Sequence, residues 1–444
     1  MAGRFFGGVH PPENKDHTQR KVIRTIPPPK TVVIPMSMHV GAPCTPLVAK
    51  GDEVKLGQLI GGSEAPISAP IHSSVSGTVS AVEPRPHPNG SKVLSVVIEN
   101  DFKDTPGSDL TPHDSIDALS PQELIDIVRS AGIVGLGGAG FPTHAKLSSG
   151  LGKVDTIIIN GAECEPYITS GYRGMLENGD ELISGARILM KVFGLKELTI
   201  GIEDNKPEAI KNLNRILGPN ADGIRVLSMK TRYPQGAEKQ LIQTVTGRQV
   251  PPGGLPALVG CAVVNADTAA AIHRAVYLGE PLTQKVVTVA GSSVAQPDNL
   301  RVRIGTPFSE LFSECGGFKD TPAKVIMGGP MMGLAQYDLS APVVKGTNAV
   351  LALSAGECGQ DSAERSCIRC GRCVEACPMH LVPMLMYAYE RKGMLDELNK
   401  MHVTDCMECG SCAFACPGRL HLVQSFKSGK QRLRNRQIKE AAAK

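Results

Sequence analysis

Cys367-Ile368-Arg369-Cys370-Gly371-Arg372-Cys373-Val374-Glu375-Ala376-Cys377-Pro378 is answered further along by Cys406-Met407-Glu408-Cys409-Gly410-Ser411-Cys412-Ala413-Phe414-Ala415-Cys416-Pro417. Both stretches spell Cys-x2-Cys-x2-Cys-x3-Cys-Pro. That spacing is the bacterial ligand run for [4Fe–4S] clusters, and two copies supply thiolates for a pair of them. A zinc site of four cysteines and a set of disulfides are the other uses of such thiols. Zinc ribbons favour two separated Cys-x2-Cys pairs, and disulfides give no reason for two identical runs closed by Cys-Pro. The chain is expected to pass electrons one at a time.

The 444 residues are enough for three or four domains. A net charge of +4 is too even for nucleic acid to be the main partner. Of the thirteen cysteines, Cys44, Cys164, Cys261, Cys315 and Cys358 lie outside the two runs and read as buried structural thiols. The start has no apolar core of the signal-peptide kind, and cysteines given to iron imply a reducing compartment. No apolar stretch approaches the length needed to cross a bilayer. Tryptophan is absent while Gly (48) and Pro (33) abound, which suits turns and cofactor loops.

Residues 1–30 are proline-rich and polar, and read as an extended arm. Residues 31–100 hold short β-rich runs (Thr31–Ile34, Ser76–Val82, Val93–Ile98) and read as a small β domain; 101–119 read as a linker. Ser120-Pro121-Gln122-Glu123 then opens a helix with a capping box, which Gly132 ends. From 120 to 282 strand and helix patterns alternate. Strands are expected at Thr156–Ile159, Leu198–Ile202, Ile224–Met229 and Val259–Val264. Helices are expected at Glu181–Phe193, Pro207–Leu217, Gly236–Thr246 and Ala266–Leu278. This alternation predicts an α/β layer with a largely parallel sheet. Residues 283–340 form a further β segment with a short helix at Ser309–Cys315, and 341–359 a second linker. The cysteine module spans 360–426. The tail at 427–444 carries Lys427, Lys430, Arg432, Arg434, Arg436 and Lys439, and reads either as a solvated helix or frayed end, or as a contact for a partner or anionic lipid.

Gly135-Leu136-Gly137-Gly138-Ala139-Gly140-Phe141-Pro142-Thr143 is the second signal. Glycines at this density let backbone N–H groups approach a phosphate or a ring edge. It is not the dinucleotide fingerprint, because a helix precedes it and Phe-Pro interrupts the exit.

The doubled cysteine run resembles two-cluster ferredoxin modules, in which the fourth cysteine of each run serves the other cluster. The resemblance implies Cys367, Cys370, Cys373 and Cys416 on one cluster, and Cys406, Cys409, Cys412 and Cys377 on the second. Residues 48–60 with Ala69-Pro70 and Val75–Val79 resemble a biotinyl/lipoyl carrier; its tip, Ser63–Ser68, lacks the carrier lysine, so no swinging arm is expected. The segment from Val286 resembles the SLBB β-grasp domain. The glycine string through Lys146 resembles the flavin loop of the NADH-binding subunit of respiratory complex I and of bidirectional hydrogenases.

Three more stretches resemble that family in the same order. They are Asn160-Gly161-Ala162-Glu163-Cys164-Glu165-Pro166, Tyr233-Pro234-Gln235-Gly236-Ala237-Glu238 and Asn265-Ala266-Asp267-Thr268. Leu136, Ala162 and Ala237 depart from it, standing where the family has arginine, aspartate and glutamate. The resemblance implies FMN and NAD(H) held by Gly135, Gly137, Gly138, Gly140, Phe141, Lys146, Asn160, Glu163, Glu165, Tyr233, Gly236, Glu238, Asn265, Asp267 and Thr268. Glu165 and Glu238 are assigned to ribose hydroxyls, Phe141 to a cleft wall, and Asn265–Thr268 to the neighbourhood of the FMN phosphate.

With Phe5-Phe6-Gly7-Gly8-Val9-His10-Pro11 in front, the whole ordered set resembles the RnfC family of the Rnf electron-transport complex. The fold class implied is multidomain α/β and α+β: a barrel-sandwich-hybrid-like β domain, an FMN/NADH-binding α/β domain, an SLBB β-grasp domain and a helical two-cluster ferredoxin-like domain. The family implies a peripheral subunit on the cytoplasmic side of the cell membrane. Its partners would be integral-membrane and ferredoxin-like Rnf subunits, NAD+/NADH and, indirectly, ferredoxin. Hydride exchange between NAD(H) and FMN would be joined to one-electron transfer through two [4Fe–4S] clusters, with no catalytic acid or base. Two other functions fit parts of the pattern: a cobalamin-reductase flavoprotein of propanediol microcompartments, and a non-catalytic iron–sulfur scaffold.

Overall fold

Four apolar, β-branched runs lie side by side as one parallel sheet in the computed structural model, in the order Ile224–Met229, Leu198–Glu203, Thr156–Gly161, Cys261–Asn265. The structure describes residues 3–219, 221–358 and 364–442. The outermost residues of the expected arm and tail, and the expected start of the cysteine module at 360, lie outside the described residues. Leu198–Glu203 is buried along its whole length because helices cover both faces of the sheet. Gly179–Phe193 packs against Ala266–Leu278 on one side. The helix Pro121–Ser130 opens with the reciprocal cap that Ser120 and Glu123 predict.

The β domain is a sandwich of two small antiparallel sheets. One contains Thr31–Pro35, Lys92–Asn100, Gly77–Pro86 and Glu53–Val54; the other Thr45–Pro46, Leu59–Gly62 and Ile71–His72. Ile34, Ile60, Ile71 and Ile98 are fully buried and belong to the same apolar core as Ile157, Ile159 and Leu189 of the α/β domain. The β domain is thus fused to its neighbour. Its tip is fixed too: Ala42 N–H donates to the Ile67 carbonyl, and Ala69 N–H to His39 Nε2.

A six-stranded mixed sheet follows, ordered Arg24–Thr25, Asp298–Arg303, Gln284–Ala290, Ala349–Leu353, Lys324–Met327, Leu334–Gln336. Two segments here depart from their sequence reading. The expected arm contributes an edge strand and buries Ile26 among Leu300, Phe308 and Phe312. The expected linker 341–359 contains Ala349–Leu353, a buried inner strand flanked by Gln284–Ala290 and Lys324–Met327.

The cysteine module is helical, with Arg372–Glu375, Pro383–Arg391, Leu395–Lys400, Ser411–Ala415 and Leu422–Ala442 around Met386, Leu398, Val403 and Phe426. The basic residues beyond 427 are not a separate tail. They continue the helix Leu422–Ala442, whose Leu433 is buried in the module core. Lys430 pairs with Glu408, Arg432 with Glu390 and Arg436 with Asp396, so much of the positive charge meets the module's own carboxylates. Among the described residues no helix is long and apolar enough to cross a membrane.

Candidate redox site

The short helices Arg372–Glu375 and Ser411–Ala415 each start after a glycine, Gly371 and Gly410, and hold the third cysteine of their run, Cys373 and Cys412. The structure brings the eight thiols together as two sets of four. Cys377 joins Cys406, Cys409 and Cys412 around a cavity of about 340 Å³, and Cys416 joins Cys367, Cys370 and Cys373 around another of about 390 Å³. Three lining cysteines come from one run and the fourth from the other. The first cavity is the inner one, with Cys377, Cys409 and Cys412 buried; the second opens outward, with Cys367 and Cys370 exposed. Burial pushes the Cys406 thiol up to about 11 and raises Cys412 further. These thiols are therefore protonated unless a metal displaces their protons. Among the described residues no group of His, Cys, Asp or Glu converges on a single ion position. Thiols spread around a cavity suit a polynuclear cluster better than one tetrahedral zinc, whose sulfurs sit near 2.3 Å from the metal.

The glycine loop sits where three domains meet. Gly137, Gly138 and Ala139 face solvent. Gly138 has φ +104 and nothing within 4 Å of where a Cβ would stand, which leaves backbone open to a ligand. The loop is held from behind. Leu136 N–H donates to Thr268 Oγ1, Val40 N–H of the β domain to the Gly140 carbonyl, and Lys285 Nζ to the Leu136 carbonyl. Asn265 caps the helix Ala266–Leu278 through Asp267 and Thr268 N–H, directly beneath Gly137. That helix start therefore faces the loop, as a phosphate site would. Leu136 is itself buried, and the cation beside it comes from Lys285.

Asn160, Gly236 and Cys164 form a knot at the end of the central strand. Asn160 Nδ2 donates to the Gly236 carbonyl, and Gly236 N–H to Cys164 Sγ at 3.3 Å. Lys146 Nζ bonds Glu238 at 2.8 Å and the Val263 carbonyl, and this pair stays partly exposed. Phe141 is half-buried at the exit of the loop, which its own carbonyl closes by accepting from Gly135 N–H.

The two remaining carboxylates have other partners. Glu163 accepts from Gly171 and Tyr172 N–H at the start of Ser170–Glu177 and lies 3.8 Å from buried Lys15. It acts as a helix cap and counter-charge. Glu165 accepts from Met331 and Met332 N–H, and burial pushes it up to about 7. It clamps the 329–332 loop, with one backbone N–H on each oxygen.

That loop leads to the inner cavity, because Gly410 stands against the Met331 carbonyl. Tyr233 hydroxyl donates to the Cys409 carbonyl at 2.6 Å. Gln240 Nε2 donates to the Pro378 carbonyl. Val9, Tyr233, Ala376 and Cys409 form one apolar cluster, with Cys164 and Met331 packed on it. The inner cavity therefore adjoins the flavin-type motifs. Lys15, Lys285 and Cys164 take part without having been singled out from sequence. Lys285 is a lysine inside the strand Gln284–Ala290, just ahead of Val286 and Val287, which is the signal that could have found it.

Family models match in four pieces: the RnfC barrel sandwich hybrid domain over residues 3–103, the Nuo51 FMN-binding domain over 128–274, the SLBB domain over 286–335 and a 4Fe-4S dicluster domain over 361–417. The chain is 47% identical over 398 residues to the C component of the proton-translocating ferredoxin:NAD(+) oxidoreductase complex of Clostridium ljungdahlii, covering 89% of this chain and 86% of that one. It is 45% identical over 432 residues to the C component of the Na(+)-translocating ferredoxin:NAD(+) oxidoreductase complex of Acetobacterium woodii, covering 97% of each. The C component of the ion-translocating oxidoreductase complex of Erwinia tasmaniensis is 43% identical over 429 residues, 96% of this chain and 53% of that longer protein. An NAD+-reducing [NiFe]-hydrogenase in the H2-reduced state aligns with TM-score 0.49 and 18% identity, over 72% of this chain and 65% of that one.

Proposed function

This chain belongs to the RnfC family, the C components of ion-translocating ferredoxin:NAD+ oxidoreductase complexes, and from that membership we propose that it is the subunit at which NAD(H) meets the complex's electron path. It is an oxidoreductase subunit whose cofactors are FMN and two [4Fe–4S] clusters. The bound groups supply hydride exchange with nicotinamide at the flavin and one-electron passage at the clusters.

The chain's own residues do the holding. Cys377, Cys406, Cys409 and Cys412 hold the inner cluster, and Cys367, Cys370, Cys373 and Cys416 the outer one. The Gly135–Gly140 backbone and the start of Ala266–Leu278 receive the flavin, with Lys285 behind Leu136 supplying positive charge and Thr268 fixing the loop. Lys146 and Glu238, paired and partly exposed, lie on the nucleotide side, with Phe141 as its wall. Asn160 and Gly236 fix the strand end between flavin and inner cluster. No side chain is needed as a proton carrier for hydride exchange. The subunit is peripheral, on the cytoplasmic face of the membrane. It passes electrons to or from ferredoxin through membrane-bound and ferredoxin-like subunits.

The observation that carries this reading is Tyr233, a flavin-motif residue whose hydroxyl bonds the Cys409 carbonyl at the wall of a four-thiol cavity. Purified protein is expected to release FMN on acid treatment. Under anaerobic conditions NADH should bleach first the flavin and then the cluster absorbance. A protein with full iron and FMN whose clusters stay oxidised in NADH would sink the reading and leave a scaffold.

A further inference from the structure

We propose that the N-terminal arm is a positioning element that sets the gap between the flavin motif and the inner thiol cavity. The inference rests on the functional reading just given and extends it to Phe5–Val9, which hold no cofactor themselves.

The arm lies in the seam between the two parts. Gly8 N–H donates to the Ala376 carbonyl at 2.9 Å, one residue before Cys377. Val9 N–H donates to the Tyr233 carbonyl at 2.8 Å, and Tyr233 N–H returns to the Val9 carbonyl at 2.9 Å. One short segment therefore ties the backbone that carries an inner-cavity cysteine to the backbone that carries the flavin motif. Tyr233 closes the loop from the other side through the Cys409 carbonyl.

Two glycines make the seam this narrow. A Cβ on Gly7 would stand 2.6 Å from the Cys377 carbonyl oxygen, and one on Gly8 2.5 Å from the Tyr233 carbonyl oxygen. Their φ angles of +73 and +80 are in the left-handed region that disfavours side chains. A larger residue at either position meets this backbone, so the seam cannot keep its width.

The arm is also anchored on both sides of these glycines. Phe5 is 3% exposed, with the Arg232 guanidinium 5.3 Å from its ring centroid and Arg232 Nη1 donating to its carbonyl. Gly3 N–H donates to the Thr244 carbonyl, and Lys15 reaches the Glu163 and Ile168 carbonyls. Phe6 adds a ring contact with His380 at 5.8 Å, whereas Val22, further along the arm, is 65% exposed. The arm brings no ligand and no redox group, so its effect on electron passage is geometric. Displacements of this kind cost rate without touching the reacting groups.

The test compares Gly8→Val, Phe5→Ala and Val22→Ala with the parent, each as the full, cofactor-loaded chain in its complex under anaerobic conditions. Three quantities are read: iron and FMN content, NADH-driven ferricyanide reduction drawn from the flavin, and cluster bleaching after rapid mixing with NADH. Gly8→Val is expected to keep its cofactors and its ferricyanide rate while cluster bleaching slows by roughly tenfold or more. Phe5→Ala should slow bleaching in the same sense, and Val22→Ala, on the arm but outside the seam, should change nothing. A general loosening would lower both rates together, and that result overturns the proposal. So does parental bleaching in a loaded Gly8→Val protein. If Gly8→Val fails to load iron, Phe5→Ala decides, because it releases the anchor without a clash. A parent whose flavin or clusters ignore NADH would defeat the functional reading instead.

Discussion

Cys416 belongs to the second cysteine run by sequence and to the cavity of the first by position. Cys416→Ser is therefore expected to damage the outer cluster of Cys367, Cys370 and Cys373 and to spare the inner one. Low-temperature spin resonance of the reduced protein, with iron analysis, would check this; loss of the inner signal would refute it. Thiol spacing was legible because a ligand run carries its chemistry in four nearby residues. Carboxylates were not. Glu163 and Glu165 stand in a nucleotide-type motif, yet their partners are Lys15 on one side and Met331 and Met332 on the other, far away in sequence. Glu238 remains available beside Lys146. Glu238→Gln should raise the KM for NADH severalfold with FMN retained, and Glu165→Gln should leave KM unchanged. A KM rise in Glu165→Gln would return that carboxylate to the nucleotide site.

At the level of elements, the helices and parallel strands of the flavin-type domain could be read because their apolar periods are strong and their caps local. Ser120 is the clearest case, accepting from Glu123 N–H while Glu123 reaches back. Ser120→Ala is expected to cost about 1 kcal/mol in anaerobic denaturant unfolding, and a Ser120→Asp exchange should restore most of it. Ala349–Leu353 escaped detection for a physical reason. It is buried on both faces, so it shows no alternation, and at five residues it is too short to stand out from a connecting segment. A helix is among the readings of the basic tail, but the packing of Leu422–Ala442 into the module was hidden by charge. Its basic residues drew the eye, while Phe426 and Leu433, seven apart and both buried, mark the apolar stripe that packs it down.

At the scale of the whole molecule, Lys345 joins three domains. It lies between two strands of the mixed sheet, Leu334–Gln336 and Ala349–Leu353, and is fully buried, and its Nζ donates to the Pro70 carbonyl of the β domain and to the Gly132 carbonyl of the flavin-type domain. Burial pushes its ammonium down to about 7. A neutral amine still has two N–H bonds for those two carbonyls, so the contact survives deprotonation. In the unfolded chain lysine titrates near 10.4, so between pH about 7 and 10.4 the unfolded state holds the extra proton and stability rises with pH. His39 and His72, which face it, are held below their usual range and stay neutral across that window. Lys345→Met should lack this rise. The gap between parent and variant melting temperatures, measured anaerobically, is expected to shift in the parent's favour from pH 7 to 10; a constant gap would rule it out. The domain order was legible in the sequence, but this junction was not, since Pro70, Gly132 and Lys345 carry no shared pattern. The N-terminal arm also bears on how the protein is made. Residues 3–26 are made well before their partners, which include Leu300, Arg301, Ala376 and Cys377. The arm must wait for nearly all of its partners before it can dock, and such long-range closure is slow. An early-made segment thus closes a seam between two late-made ones, and the seam cannot form before they do.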